Sequence, residues 1–239
     1  MNNFYYKVRT YGLFRITEYA FIEIAGLIRR LFWGSYSQKG EDLFLSRMFP
    51  KHYEGFYVDV GANDPIRFNN TYKFYKRGWK GMNIEPDANN YKKLKEVRAK
   101  DININIGIDE TEGDVEYYHF IPSTLNTFSN EECENYLTQG YKLEKVEMIP
   151  VRRLDDVLEE NLPKGTKIDL LTIDTEGFDL KVLKSANLEK WCPSYICVES
   201  CRHGFSNPDY SITVEETMEK FGYKKVFSNG LNSVFSYIH

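Results

Sequence analysis

From Tyr36 onward, short runs rich in β-branched and aromatic residues alternate with longer stretches of helical pattern. A chain with that rhythm is expected to fold as a parallel sheet wrapped by helices, because each strand must bury both faces and each helix only one. Phe56–Val60 reads as a first buried strand, Gly81–Glu85 as a second, Ile102–Ile108 as a third, Ile168–Asp174 as a fourth and Ser194–Glu199 as a fifth. Near the C-terminus, Tyr223–Ser228 and Asn232–Ile238 flank Asn229-Gly230-Leu231, whose residues tolerate positive φ, so this pair is expected to form an antiparallel hairpin. The expected fold class is α/β: a Rossmann-like seven-stranded sheet, mostly parallel, closed by that hairpin. Ser123–Lys145, polar and acidic, interrupts the alternation and reads as an inserted helix-and-loop excursion beside the site.

With 239 residues, 42% of them hydrophobic, the chain can bury one sizeable core. One domain over 36–239 is expected, preceded by an N-terminal extension, 1–35. Phe14, Phe21, Ile22, Ile24, Leu27, Ile28, Leu31, Phe32 and Trp33 make that extension the most apolar stretch. Glu18, Glu23, Arg29 and Arg30 interrupt it short of the roughly 20 apolar residues a membrane span needs, and no signal-type cleavage site follows. An amphipathic helix is what remains. Its basic residues Lys7, Arg9, Arg15, Arg29 and Arg30 outnumber its acids, which suits peripheral contact with a membrane face. Packing on its own domain or on a second copy of the chain is the commoner use of such a helix.

The formal net charge of -4 argues against a nucleic-acid partner, which needs a broad basic surface. Cys133, Cys192, Cys197 and Cys201 lack paired CxxC spacing and read as reduced residues of a cytoplasmic protein. No His/Cys cluster has zinc spacing.

The strongest local signal is Asp59-Val60-Gly61-Ala62-Asn63 directly after an apolar strand. Small residues there let the backbone approach a ligand at the carboxyl end of the strand, where open α/β sheets bind cofactors. About 24 residues after Gly61, Glu85 ends the second strand, in register with the acid that accepts both ribose hydroxyls in doubly wound nucleotide folds. The full G-x-G-x-x-G is absent, because Asn63 and Asp64 replace the later glycines and Pro65 follows. A dinucleotide must rest its pyrophosphate on this turn. S-adenosylmethionine carries no phosphate and fits better, its methionine end met by backbone around Gly61 and by Asn63 or Thr71.

Five ordered blocks resemble the FkbM family of methyltransferases, from about Ser37 to Ile238. Ser37-Gln38-Lys39-Gly40-Glu41-Asp42 is similar to its entry motif, and Val58–Asn63 to its first cofactor loop. Gly78-Trp79-Lys80-Gly81 with Ile84-Glu85-Pro86-Asp87 is similar to its second. Leu154-Asp155-Asp156-Val157-Leu158 precedes Ile173-Asp174-Thr175-Glu176-Gly177-Phe178-Asp179, which resembles its Asp-x-Glu-Gly block. The resemblance implies a class I methyltransferase fold, S-adenosylmethionine as donor, and O-methylation of a small molecule, in particular a sugar in glycan or natural-product biosynthesis. It further implies that the segment of Gln38 and Glu41 folds over the donor, although Ser37 and Glu41 also suit plain helix entry. Gln38, Glu41, Asp59, Gly61, Ala62, Asn63, Thr71, Glu85, Pro86 and Asp109 are the expected donor-binding residues.

O-methylation requires aligning an acceptor oxygen, removing its proton and excluding water. Asp174 and Glu176 after the fourth strand, and His203 after the fifth, are the candidate bases. Each has a plainer reading: Asp174 as the cap of a helix starting near Phe178, Glu176 as a solvated acid, His203 as a loop histidine. Asp174 and Glu199, with Glu176 nearby, also offer the oxygen ligands magnesium prefers. The competing functions are a nicotinamide-dependent oxidoreductase, favoured by the Gly61–Glu85 spacing alone, and a non-catalytic scaffold with the same fold.

Overall fold

The computed structural model describes residues 23–200 and 208–238. Residues 23–33 form helix α1, followed by α2 (Glu41–Arg47), β1 (Phe56–Val60), α3 (Tyr72–Lys76), β2 (Lys80–Ile84) and α4 (Ala88–Val97). The middle of the chain holds β3 (Ile102–Ile104), β4 (Gly107–Ile108), β5 (Gly113–Ile121), a 3-10 turn at Ser123–Leu125, α5 (Asn130–Thr138) and β6 (Lys142–Arg152). The last third holds α6 (Leu154–Asn161), β7 (Leu170–Ile173), α7 (Asp179–Ser185), α8 (Leu188–Trp191), β8 (Tyr195–Glu199), α9 (Pro208–Lys220), β9 (Tyr223–Ser228) and β10 (Asn232–Tyr237).

Seven strands form one sheet in the order β3-β2-β1-β7-β8-β10-β9. All neighbours are parallel except the two pairs of β10, which runs antiparallel to both β8 and β9. The expected fold class is the observed one. Alternate residues of the central strands feed two cores, one on each face. Val58, Val60, Leu171, Ile173, Ile196 and Phe235 pack on one side. Tyr57, Leu170, Cys197 and Val234 pack on the other with Phe74 and Trp79. This double burial is why these strands are apolar throughout.

Two expectations are corrected. Ile102–Ile108 is not one strand: Asn105 leaves the sheet and donates from Nδ2 to the carbonyls of Glu85 (2.8 Å) and Pro86 (2.9 Å). Beyond it, β4 joins a second, three-stranded sheet of order β4-β6-β5, absent from the sequence reading. Ser123–Lys145 is an excursion, as expected, but it is the connection between β5 and β6 and its last residues already belong to β6. Cys133, Cys192 and Cys197 are free thiols; Cys201 lies outside the described residues.

Candidate active site

A cavity of about 670 Å³ opens at the carboxyl ends of β1, β2 and β7. Its volume is of the size that encloses a small organic ligand. Asp59 to Asn63, Ile84 to Pro86 and Asp174 to Glu176 line it from the main sheet; Gly107, Tyr117 and residues 121–126 with Phe128 line it from the second.

The wall on β1 and β2 is tied together by main-chain groups. Gly61 N–H (3.0 Å) and Ala62 N–H (3.2 Å) both donate to the carbonyl of Ile84. Asn63, at φ 47°, donates its N–H to Glu85 Oε2 at 2.7 Å, while Asp87 N–H reaches Glu85 Oε1 at 2.8 Å. The two loops singled out in the sequence are thus joined through the Glu85 carboxylate. Burial raises that carboxyl to about 8, against the pull of the two N–H donors. Each oxygen keeps lone-pair capacity for a further donor. Residues 61–71 form no helix, and α3 starts only at Tyr72, so no helix N-terminus directly follows the β1 turn.

Gly61 is required by chain packing. At φ 80°, a Cβ there would lie 1.9 Å from the carbonyl oxygen of Asp174, because the loops after β1 and β7 meet backbone to backbone. Asp59 beneath accepts from Thr71 Oγ1 (2.7 Å) and Asn69 Nδ2 (3.2 Å). Asn69 in turn accepts from the fully buried Arg98 (2.7 Å), which also donates to Pro65 O (2.9 Å) and Tyr57 Oη (2.8 Å). This network fastens the loop 61–71 to the sheet.

The facing wall is acidic. Burial, then Glu176, Asp179 and Asp59, push the Asp174 carboxyl well above the usual carboxylate range. Glu176 stands at φ 50°, a strained conformation for a side-chain-bearing residue. Thr127 Oγ1 donates to its carbonyl at 2.7 Å and Tyr136 Oη to its Oε2 at 2.6 Å, both from the excursion. Asp174 does not cap α7, whose first residue follows Phe178 with no side-chain cap. Asp179 organises the turn instead, accepting from Thr175 N–H (3.0 Å), Gly177 N–H (3.3 Å) and Tyr210 Oη (3.1 Å).

Of the expected site residues, Gln38, Asp59, Gly61, Ala62, Asn63, Glu85, Pro86, Asp174 and Glu176 line the cavity together. Four others lie behind it. Thr71 supports Asp59; Glu41 is buried against Asn229 and Asn232 at 2.7 Å each. Asp109 meets Lys181 at 3.3 Å, and Glu199 is buried at the end of β8 with its carboxyl raised by burial, Glu176 and Asp174. His203 falls outside the described residues. Among the described residues no three His, Cys, Asp or Glu side chains are grouped to hold a metal ion.

Sequence reasoning missed Arg67, Asn70, Tyr117, Asn126 and Phe128 as lining residues. One signal existed: Gly107, where a Cβ would lie 2.4 Å from the Phe128 ring, marks a close approach by a bulky neighbour.

Comparison with known proteins follows the same line. Residues 59–225 match the family described as Methyltransferase FkbM domain. Among solved structures, methyltransferase FkbM from Methylobacillus flagellatus KT is 16% identical over 77% of this chain and 44% of that one, with a TM-score of 0.48. The chain therefore spans less than half the length of that relative. A TehB-like SAM-dependent methyltransferase from Corynebacterium glutamicum is 13% identical over 90% of this chain and 97% of that one (TM-score 0.45). The 1,6-didemethyltoxoflavin-N1-methyltransferase of Burkholderia thailandensis, with 1,6-didemethyltoxoflavin and S-adenosylhomocysteine bound, is 9% identical over 92% and 88% (TM-score 0.42). No protein of curated function matches in sequence.

Proposed function

Since the chain belongs to the FkbM methyltransferase family, matched over residues 59–225, we propose that it is an S-adenosylmethionine-dependent O-methyltransferase acting on a hydroxyl of a small molecule, a sugar. The observation that carries this reading is the acidic lining of the cavity. Among its described lining residues stand five acids, Glu23, Asp59, Glu85, Asp174 and Glu176, against one cation, Arg67, which Glu23 pairs. Burial holds Glu85 and Asp174 toward protonation, so the lining offers hydrogen-bond partners to the hydroxyls and ammonium of an adenosyl donor and little cationic charge to the pyrophosphate of a dinucleotide.

The donor set fits the adenosyl donor. Glu85 is the acceptor for ribose hydroxyls, and the backbone around Gly61 and Asn63 meets the methionine end. When bound, the donor supplies an electrophilic methyl group. In its ionised form Asp174 accepts the proton of the acceptor hydroxyl, and the burial and acidic neighbours that raise its pKa make that carboxylate a stronger base than an ordinary aspartate once it has ionised. Glu176 borders the same space. Phe68, Tyr117, Phe128 and Tyr141, interleaved with Gln38, Asn70, Ser123 and Thr124, suit a ligand with apolar ring faces and hydroxyl edges.

The test is calorimetric titration of the full chain with S-adenosylmethionine, S-adenosylhomocysteine and NAD(H), followed by incubation with isotopically labelled donor and host extract. Binding of the two adenosyl ligands and a labelled carbohydrate ether in the mass spectrum are expected. Binding of NAD(H) alone, or label found only on nitrogen or carbon, would overturn the assignment.

A further inference from the structure

Helix α1 leaves its apolar stripe largely uncovered, with Ile24 at its start bordering the cavity. Ile24, Leu27, Ile28 and Leu31 follow the i, i+3, i+4, i+7 spacing of one helical face and are 42–70% exposed. Phe32 and Trp33 extend the stripe at 76% and 60% exposure. Toward the domain the helix presents Gly26, where a Cβ would lie 3.1 Å from the Phe68 ring, and Glu23, paired with Arg67. A helix packed on its own domain would show the reverse pattern.

Cations gather at the same end as the exposed aromatics. The Arg30 guanidinium lies 5.7 Å and Lys76 Nζ 5.4 Å from the centroid of the Tyr36 ring. Lys73 Nζ donates to the Gly34 carbonyl at 2.8 Å. In the sequence, residues 1–22 add Lys7, Arg9 and Arg15 against the single acid Glu18. Residues 1–35 thus carry five cations against two acids, opposite in sign to the -4 of the whole chain. No described helix is long and apolar enough to cross a membrane.

We propose that α1 docks the protein on an anionic lipid bilayer. The helix lies in the headgroup plane, with Leu31, Phe32 and Trp33 entering the acyl boundary and Arg30, Lys73 and Lys76 meeting headgroup phosphates. Charge complementarity selects this occupant: headgroup phosphates complement the cluster of Arg30, Lys73 and Lys76 beside the exposed aromatics. Glu23 and Ile24 of the same helix line the cavity, so the docked face and the edge of the site belong to one element.

Co-sedimentation of the full chain with vesicles of phosphatidylcholine alone, or mixed with phosphatidylglycerol, tests this. The parent is expected to bind the mixed vesicles about tenfold or more tightly than the neutral ones, and to release them at high salt. Phe32→Ser/Trp33→Ser is expected to lose vesicle binding, and Arg30→Glu/Lys76→Glu to lose the preference for phosphatidylglycerol. Both variants keep the parent's melting temperature and its affinity for S-adenosylhomocysteine, which separates failure of docking from failure of folding or of the donor site. Equal binding to both vesicles, or parent-like binding by either variant, overturns the proposal. So does absence of vesicle binding, whether the chain is monomeric or light scattering shows a dimer that Phe32→Ser/Trp33→Ser dissociates.

Discussion

The two walls of the cavity are held by different means. On β1 and β2, residues near the strand ends are tied by main-chain N–H groups: Gly61 and Ala62 donate to the Ile84 carbonyl, and Asn63 and Asp87 to the Glu85 carboxylate. On the facing side, the loop after β7 is held by side chains from far along the chain, Thr127 and Tyr136 reaching Glu176 across 49 and 40 positions. The first wall is specified by short motifs. The second depends on how two distant segments come together, and segments of that kind are where binding specificity is usually placed. The donor side is therefore expected to tolerate little change in geometry, and the acceptor side to lose rate before it loses structure.

The largest effect is expected where the walls touch. Gly61→Ala forces a Cβ to within 1.9 Å of the Asp174 carbonyl, at φ 80°, and is expected to cost about 4 kcal/mol or more in urea unfolding. Gly140→Ala, at φ 81° with nothing within 4 Å, carries the backbone strain alone and is expected to cost about 1–2 kcal/mol. Equal losses in the two variants would mean that the loops do not meet as described.

Next comes the separation of roles. Asp174→Asn keeps shape and removes the base, so label transfer from donor to acceptor is expected to fall about 10²–10⁴-fold with donor affinity unchanged. A matching fall in donor affinity would show that the acidic wall binds rather than reacts. Glu85→Gln is the converse, weakening S-adenosylmethionine binding by about 1–3 kcal/mol, the scale of charge-assisted hydrogen bonds.

Glu85 also sets a pH signature. Its folded carboxyl titrates at about 8 against an ordinary value of 4.5. Between those values the folded state holds a proton that the unfolded chain has released. Its contribution to stability is thus fully present below pH 4.5, declines as pH rises and is gone above about 8. Ribose hydroxyls bond best to the ionised form, so donor affinity is expected to rise from about pH 7 to 9 in the parent with release of a proton, and to stay flat in Glu85→Gln. Calorimetry in buffers of different ionisation enthalpy reads that proton directly, and its absence in the parent removes the ribose role.

The donor wall was legible because burial on both faces writes itself into β1, β2 and β7 as nearly continuous apolar runs, with the cavity-lining residues at or just past their carboxyl ends. The second sheet left no such trace. Most of β6 is exposed and it carries Pro150 opposite Asp114, so neither alternation nor an apolar run marks it. Asn105 lies between two isoleucine pairs that read as one strand, and only its bonds to Glu85 and Pro86 show why the chain turns out. Local spacing marks Asp59, Gly61, Asn63 and Glu85; Tyr117, Asn126 and Phe128 reach the cavity from the second sheet and its connection, and only the glycine at 107, packed against Phe128, hints at any of them.

The smallest predicted effect bears most directly on what the excursion is for. Tyr136 is buried on α5, and its hydroxyl donates to Glu176 Oε2 at 2.6 Å while Thr127 fixes the carbonyl of the same residue. A left-handed non-glycine residue persists only where its surroundings hold it, and these two bonds are that hold. Tyr136→Phe removes one hydroxyl and keeps the ring packed on Phe120 and Tyr141. Stability is expected to fall by about 1 kcal/mol, the net value of one hydrogen bond. If the bond orients Glu176 toward the acceptor, kcat falls several-fold and the acidic limb of the pH–rate profile moves, with the donor Kd unaltered. A purely structural tyrosine would lower stability and leave that limb where it was; Thr127→Val, which frees the carbonyl without touching the carboxylate, is the matched control.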